Sequence, residues 1–147
     1  MHSSTIALFK ETIRSGTIAS LVMMPVGFIF KFFGLRVGHY GPKVADLLFG
    51  SNDPFLLFAQ HLVIGWLSTL PLVWLLVQNP LRTWSRFSVV GAGAVYGAAY
   101  YVVVNSLTLP LLFGDTLPWT LGVAVIAPSL VVHFIFGISI ALTTKKY

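Results

Sequence analysis

Two histidines are the residues in this chain best suited to chemistry. His61 and His133 each sit inside a long apolar run, where an ionisable side chain is costly to hold and marks a functional position by default. Few other polar groups share those runs. Gln60 adjoins His61, and Asn105 with Ser106 lies near the far end of another run. An imidazole can relay a proton, ligate a metal or fasten one helix to another by a hydrogen bond. His61, His133, Gln60, Asn105 and Ser106 are therefore the candidate functional residues. No catalytic set accompanies them. No Asp or Glu is expected at the depth of any span, so a carboxylate relay and paired-carboxylate hydrolysis are both missing. There is no Gly-rich phosphate loop and no H-E-x-x-H zinc motif. The absence of cysteine removes thiol chemistry and thiolate metal sites. The chain is read as non-enzymatic, with no catalytic residue, metal or resident cofactor.

The elements that position these groups follow from composition. Of 147 residues, 56 % are hydrophobic and 9 % charged, and the mean hydropathy is +0.88. A soluble domain is about 25 % charged. Nine Lys and Arg with four Asp and Glu cannot coat a globule of this size. Soluble enzymes, disordered tails and nucleic-acid binders are excluded, and the partner implied is the lipid bilayer. A crossing helix needs about 20 mostly apolar residues, which allows four spans, expected at about 16–33, 54–77, 87–107 and 119–142. Pro25, Pro71 and Pro128 fall inside spans, and a kink is expected at Pro25. The segment 3–15 reads either as a one-sided surface helix or as the first turns of span one. Pro42 and Gly50 bracket a short interfacial helix at 41–50. The link 108–118 is too apolar for a solvated loop and is expected to dip into the interface.

Positive charge sets the orientation. Lys10, Arg14, Arg82, Arg86, Lys145 and Lys146 fall on one side, and Lys31, Arg36 and Lys43 on the other. This places both termini in the cytoplasm of a bacterial inner membrane. Arg82 and Arg86, flanking Trp84, suit anionic lipid headgroups as well as the orientation signal. Small residues on span three, Gly91, Gly93 and Gly97, permit close helix packing, within the bundle or against a second copy. Tyr96, Tyr100 and Tyr101 suit a quinone or lipid pocket, or an aromatic belt with core packing.

The halves repeat weakly. Phe58-Ala-Gln-His61-Leu-Val-Ile-Gly65 parallels Leu130-Val-Val-His133-Phe-Ile-Phe-Gly137. With two spans in each half the repeat is parallel. The expected fold is an all-α integral membrane four-helix bundle, built as two tandem parallel helical hairpins if the repeat is real. Gly65 and Gly137, one turn past each His, then join the helix-packing set.

The run Gly91 to Asn105, then Ser106-Leu-Thr-Leu-Pro110-Leu-Leu-Phe-Gly, Leu117-Pro118-Trp119 and a final helix with a central His resembles the YagU-like family of small bacterial inner-membrane proteins. The resemblance covers about 60 residues in the second half and marks Ser106, Pro110, Pro118, Trp119 and His133. It implies an inner-membrane helical protein and an association with acid tolerance, and it names no biochemical activity.

Three functions stand side by side. The first is a non-enzymatic structural or stress-related role, self-associating or within a larger membrane complex. The second is a proton or small-solute conduit using His61 and His133. The third is a haem-bearing electron-transfer subunit with both histidines as axial ligands. Counting from the span starts puts the histidines roughly 10 Å apart in depth at about 1.5 Å rise per residue, which disfavours the third.

Overall fold

The computed structural model describes residues 5–78 and 86–145, and no strand occurs among them. Four stretches are long and apolar enough to cross a membrane, and the chain is a multi-pass membrane protein with an all-α, four-helix-bundle fold. The first crossing is α1 (Thr5–Phe32). After it comes α2 (Tyr40–Phe49), a short helix at the loop end of the bundle. The second crossing is α3 (Pro54–Gln78). The third is α4 (Arg86–Tyr100), continued by a π-helical stretch (Tyr101–Thr108) and α5 (Leu109–Phe113). A single 3-10 turn (Pro118–Thr120) leads to the last crossing, α6 (Val123–Thr143).

Local chemistry sets several of these boundaries. Asp53 Oδ1 accepts from the backbone N–H groups of Phe55 and Leu56 at 2.9 and 3.1 Å. That is an N-cap, with Pro54 following where its missing N–H costs nothing. At the other end of the preceding helix, Gly50 adopts φ +60° and closes α2 on the Asp46 carbonyl, as a left-handed cap requires. The outward faces are apolar: Leu67, Val95, Leu111 and Val123 are all more than 60 % exposed. In water such a surface would aggregate, whereas in lipid it is the solvated face.

The two hairpins are built on one repeated contact. A Cβ added at Gly16 would lie 2.9 Å from Thr69 Oγ1 and 3.3 Å from the Gly65 carbonyl, and one added at Gly65 would run into Ser20. In the second hairpin a Cβ at Gly93 would meet the Gly137 carbonyl at 2.6 Å and the Ala141 side chain at 2.9 Å. One at Gly137 would strike the Gly93 carbonyl. Gly16-x-x-x-Ser20 against Gly65 and Thr69 thus corresponds to Gly93-x-x-x-Gly97 against Gly137 and Ala141. Small residues four apart let two backbones approach and gain dispersion contacts along their length. Packing then runs from α3 to α1, from α1 to α6 and from α6 to α4, over a core of Ala19, Leu72, Val73, Phe136, Ile140 and Ala141.

Several expectations change. Of the two readings of 3–15, a surface helix or the first turns of span one, the second describes the chain from Thr5 onward, where α1 is continuous. Glu11 there is 1 % exposed, because Ser15 Oγ and the Lys145 backbone N–H both donate to its Oε1, at 3.0 and 2.8 Å. Arg14 also donates to Glu11 and to the Thr143 carbonyl. The end of α6 is thereby clamped to the start of α1. Gly91 does not pack: it is exposed, with open space where a side chain would stand. Two residues before Gly93, it points to another side of a helix with 3.6 residues per turn. The link at 108–118 begins as helix, since α5 carries the third crossing to Phe113 before Gly114, at φ +63°, stops it. Arg82, Lys146 and the side chain of Arg86 lie outside the described residues.

Candidate functional site

The four crossings close tightly at the end bearing the termini and part at the loop end. Between them lies a cavity of about 650 Å³, within the roughly 300–1,000 Å³ of small-molecule sites. It starts beneath the 36–44 segment and ends on Ser20, Ser68, Tyr100 and Phe136. Past that floor the chain is packed by the glycine contacts and the core described above.

Four of the five candidate residues, His61, His133, Gln60 and Asn105, line this one cavity. The fifth, Ser106, is 1 % exposed but does not line it. The depth count that separated the two histidines took Trp119 as the start of its span. Counting from the apparent span starts fails because α6 begins at Val123, after the 3-10 turn, so Trp119 is not the first residue of the crossing.

His133 is held on every side. Its Nδ1 lies 2.6 Å from the Ser129 carbonyl, which can only accept, so Nδ1 carries the proton. Its Nε2 then accepts from the Asn105 amide. The two contacts together select one neutral tautomer. Tyr100 stacks on the ring at 5.7 Å between centroids, and Tyr101 leans on it at 5.6 Å. A haem ligand needs a free imidazole lone pair, and His133 has none to offer. His61 Nε2 lies 3.3 Å from the Ser20 carbonyl and donates to it, tying α3 to α1.

The tyrosines supply what the histidines lack, a bridge between α3 and α4. Ser68 Oγ donates to Tyr100 OH at 2.7 Å, and Tyr96 OH donates to the Ser68 carbonyl. Their part in the site was foreshadowed only by the pocket reading of the aromatic cluster. Spacing alone does not distinguish a tyrosine that faces a cavity from one in a belt.

The mouth is roofed by α2. Gln60 Nε2 donates to the Gly41 carbonyl at 2.9 Å. Tyr40 stacks on Phe113 at 6.0 Å, and Lys43 Nζ lies 5.9 and 5.7 Å above the two rings. Lys43 also pairs with Asp115 at 2.6 Å, and His39 Nε2 lies 3.5 Å from the same carboxylate. The Lys43 hydrogen bond holds Asp115 below its ordinary carboxylate range. Burial, then Arg36 and Lys43, push His39 below its ordinary value and outweigh the opposing effect of Asp115. Burial and the Asp115 charge push the Tyr40 phenol up, so it stays a neutral donor at the roof.

Not every polar group here is satisfied. Ser20 Oγ, Gln60 Oε1 and Tyr101 OH are buried and have no hydrogen-bond partner among the described residues, and all three residues line the cavity. Native proteins pair the great majority of such groups. Of the residues marked by the second-half motifs, Pro118 and His133 line the cavity, while Pro110 is buried in α5 and Trp119 is half exposed in the 3-10 turn. No family model, curated protein or solved structure matches this chain, so the functional reading rests on the cavity itself.

Proposed function

We propose that this chain is a non-enzymatic protein of a bacterial inner membrane, with both termini in the cytoplasm, that binds a small amphipathic solute in a cavity reached from the periplasmic side. The orientation rests on the balance of six positive residues against three. The binding role rests on one observation: a cavity of about 650 Å³ between the crossings is lined by His61, His133, Gln60 and Asn105, and three of its lining residues, Ser20, Gln60 and Tyr101, carry a buried polar atom without a hydrogen-bond partner among the described residues. The walls between them are apolar, from Met23, Phe28, Leu57, Ile64 and Val104, which suits a molecule with a hydrocarbon body and few polar groups.

The chain has no native cysteine, so a single introduced thiol reports without background. Val104→Cys is expected to react with a membrane-impermeant thiosulfonate from the periplasmic face of spheroplasts and not in inverted vesicles. Dodecanol should slow that reaction saturably. Ala141→Cys, in the packed core, should react from neither side. A Val104→Cys thiol that is unreactive from the periplasm, or that dodecanol does not protect, overturns the reading.

A further inference from the structure

The lining of the cavity is one-sided in charge. Two of its residues, Lys31 and Arg36, carry a fixed positive charge. None of its residues is Asp or Glu. The chain has only four carboxylates, and each lies elsewhere. Glu11 is clamped at the opposite end of the bundle. Asp115 is engaged by Lys43 and His39. Asp46 and Asp53 lie on and just after α2, outside the lining. Among the described residues neither Lys31 nor Arg36 has a carboxylate within ion-pair distance. The mouth therefore holds two fixed cations that the protein leaves uncompensated, directly above apolar walls.

From this we infer that the cavity selects an acidic amphiphile: a single hydrocarbon body bearing a carboxylate or phosphate that sits between Lys31 and Arg36. This rests on the binding role proposed above and adds the sign of the head group. An arginine gives a forked pair of donors that matches either anion, and lysine adds a mobile point charge. Depth agrees with the assignment. Lys31 is in the last turn of α1 and Arg36 follows it in the connection to α2, so the anion stays near the membrane surface. The body runs inward past Phe28, Leu57 and Ile64 toward His61 and Tyr101. A cationic amphiphile would be repelled by Lys31 and Arg36, and a neutral one would gain no ion pair from them.

The test uses the whole chain in phosphatidylcholine nanodiscs at pH 8, with empty nanodiscs subtracted. Radiolabelled dodecanoate, dodecyl phosphate, dodecanol and dodecyltrimethylammonium are each titrated. Both anions are expected to bind ahead of dodecanol, and dodecyltrimethylammonium last. The tighter anion identifies a free acid or a phosphate headgroup as the natural source. The double variant Lys31→Gln, Arg36→Gln should weaken both anions by about tenfold, the scale of two partly exposed ion pairs, and leave dodecanol unchanged. Val104→Trp, whose larger side chain intrudes on the cavity, should weaken all saturable binding. Equal affinities for anion and alcohol, or an unaltered anion affinity in the double Gln variant, overturn the acidic-head inference while the cavity reading survives through Val104→Trp. Saturable binding that Val104→Trp leaves intact overturns both.

Discussion

Asp115 engages two basic side chains, Lys43 at 2.6 Å and His39 at 3.5 Å, and so latches α2 across the cavity mouth. Both titrating partners push stability in the same direction with pH. His39 has a folded pKa below its ordinary 6.5, so the unfolded chain takes up that proton first. Its contribution is whole above that ordinary value and is lost as the pH falls through the folded one. Asp115 is lowered from 3.8, and its contribution disappears only in stronger acid, as the pH falls through its folded value. Between pH 7.5 and pH 5 the backbone amides of α2 should therefore exchange with deuterium about two- to fivefold faster after correction for intrinsic rates. Asp115→Asn should produce the same acceleration already at pH 7.5, with α3 amides unmoved. Deeper in the bundle, Asn105→Ala should cost about 0.6–2 kcal/mol in unfolding from bicelles by dodecyl sulfate. A variant as stable as the parent would mean that the Asn105–His133 bond fastens nothing.

At the scale of elements, the glycines differ in ways their spacing shows only in part. Gly93 and Gly97 lie one turn apart and both face α6, where an added Cβ would meet the Gly137 and His133 backbones. Gly91 faces open space. Gly97→Ala should cost about 1–3 kcal/mol through overpacking, even though alanine is the better helix former. Gly91→Ala should be neutral or slightly stabilising in the same assay, and equal costs at the two sites would refute the packing assignment. Gly16→Ala should behave like Gly93→Ala, because the first hairpin makes the same contact through Thr69 and Gly65. That correspondence was half visible in the matching His-x-x-x-Gly runs. Its other half, Gly16-x-x-x-Ser20, shows in the sequence only as small residues at the start of spans one and three, with nothing to say what they pack against.

The whole molecule is asymmetric from end to end. The end bearing the termini is tied shut by Glu11, which receives Ser15 and the Lys145 N–H, and by Arg14, which reaches across to Thr143. The loop end parts into the cavity. Glu11→Ala leaves Arg14 one-third exposed and able to turn to water, so the loss should be about 1–3 kcal/mol rather than the full cost of a stranded buried charge. Stability should fall in the dodecyl sulfate titration while periplasmic labelling of Val104→Cys continues at the parent rate. Labelling that begins in inverted vesicles would instead show that this clamp seals the closed end.

Composition by itself determined the solvent, the number of crossings and the helical class. These depend on how much apolar length a chain carries, a property that survives any rearrangement of its helices. Local motifs likewise settled Gly50 as a stop, because a helix-ending glycine acts on backbone groups within a few residues. Only the tertiary structure decided which polar residues share a site. His61 and His133 are 72 positions apart, and whether they meet depends on where α6 begins and how the hairpins lean, neither of which leaves a local trace. The same holds for Glu11: next to Lys10 and close to Arg14 it reads as a surface residue, yet the end of α6 buries it. Tyr100 and Tyr101 face His133 instead of lipid for a similar reason. A side chain's neighbours across a bundle are fixed by helix rotation, and one chain's apolar pattern, nearly uniform around each span, carries little record of it.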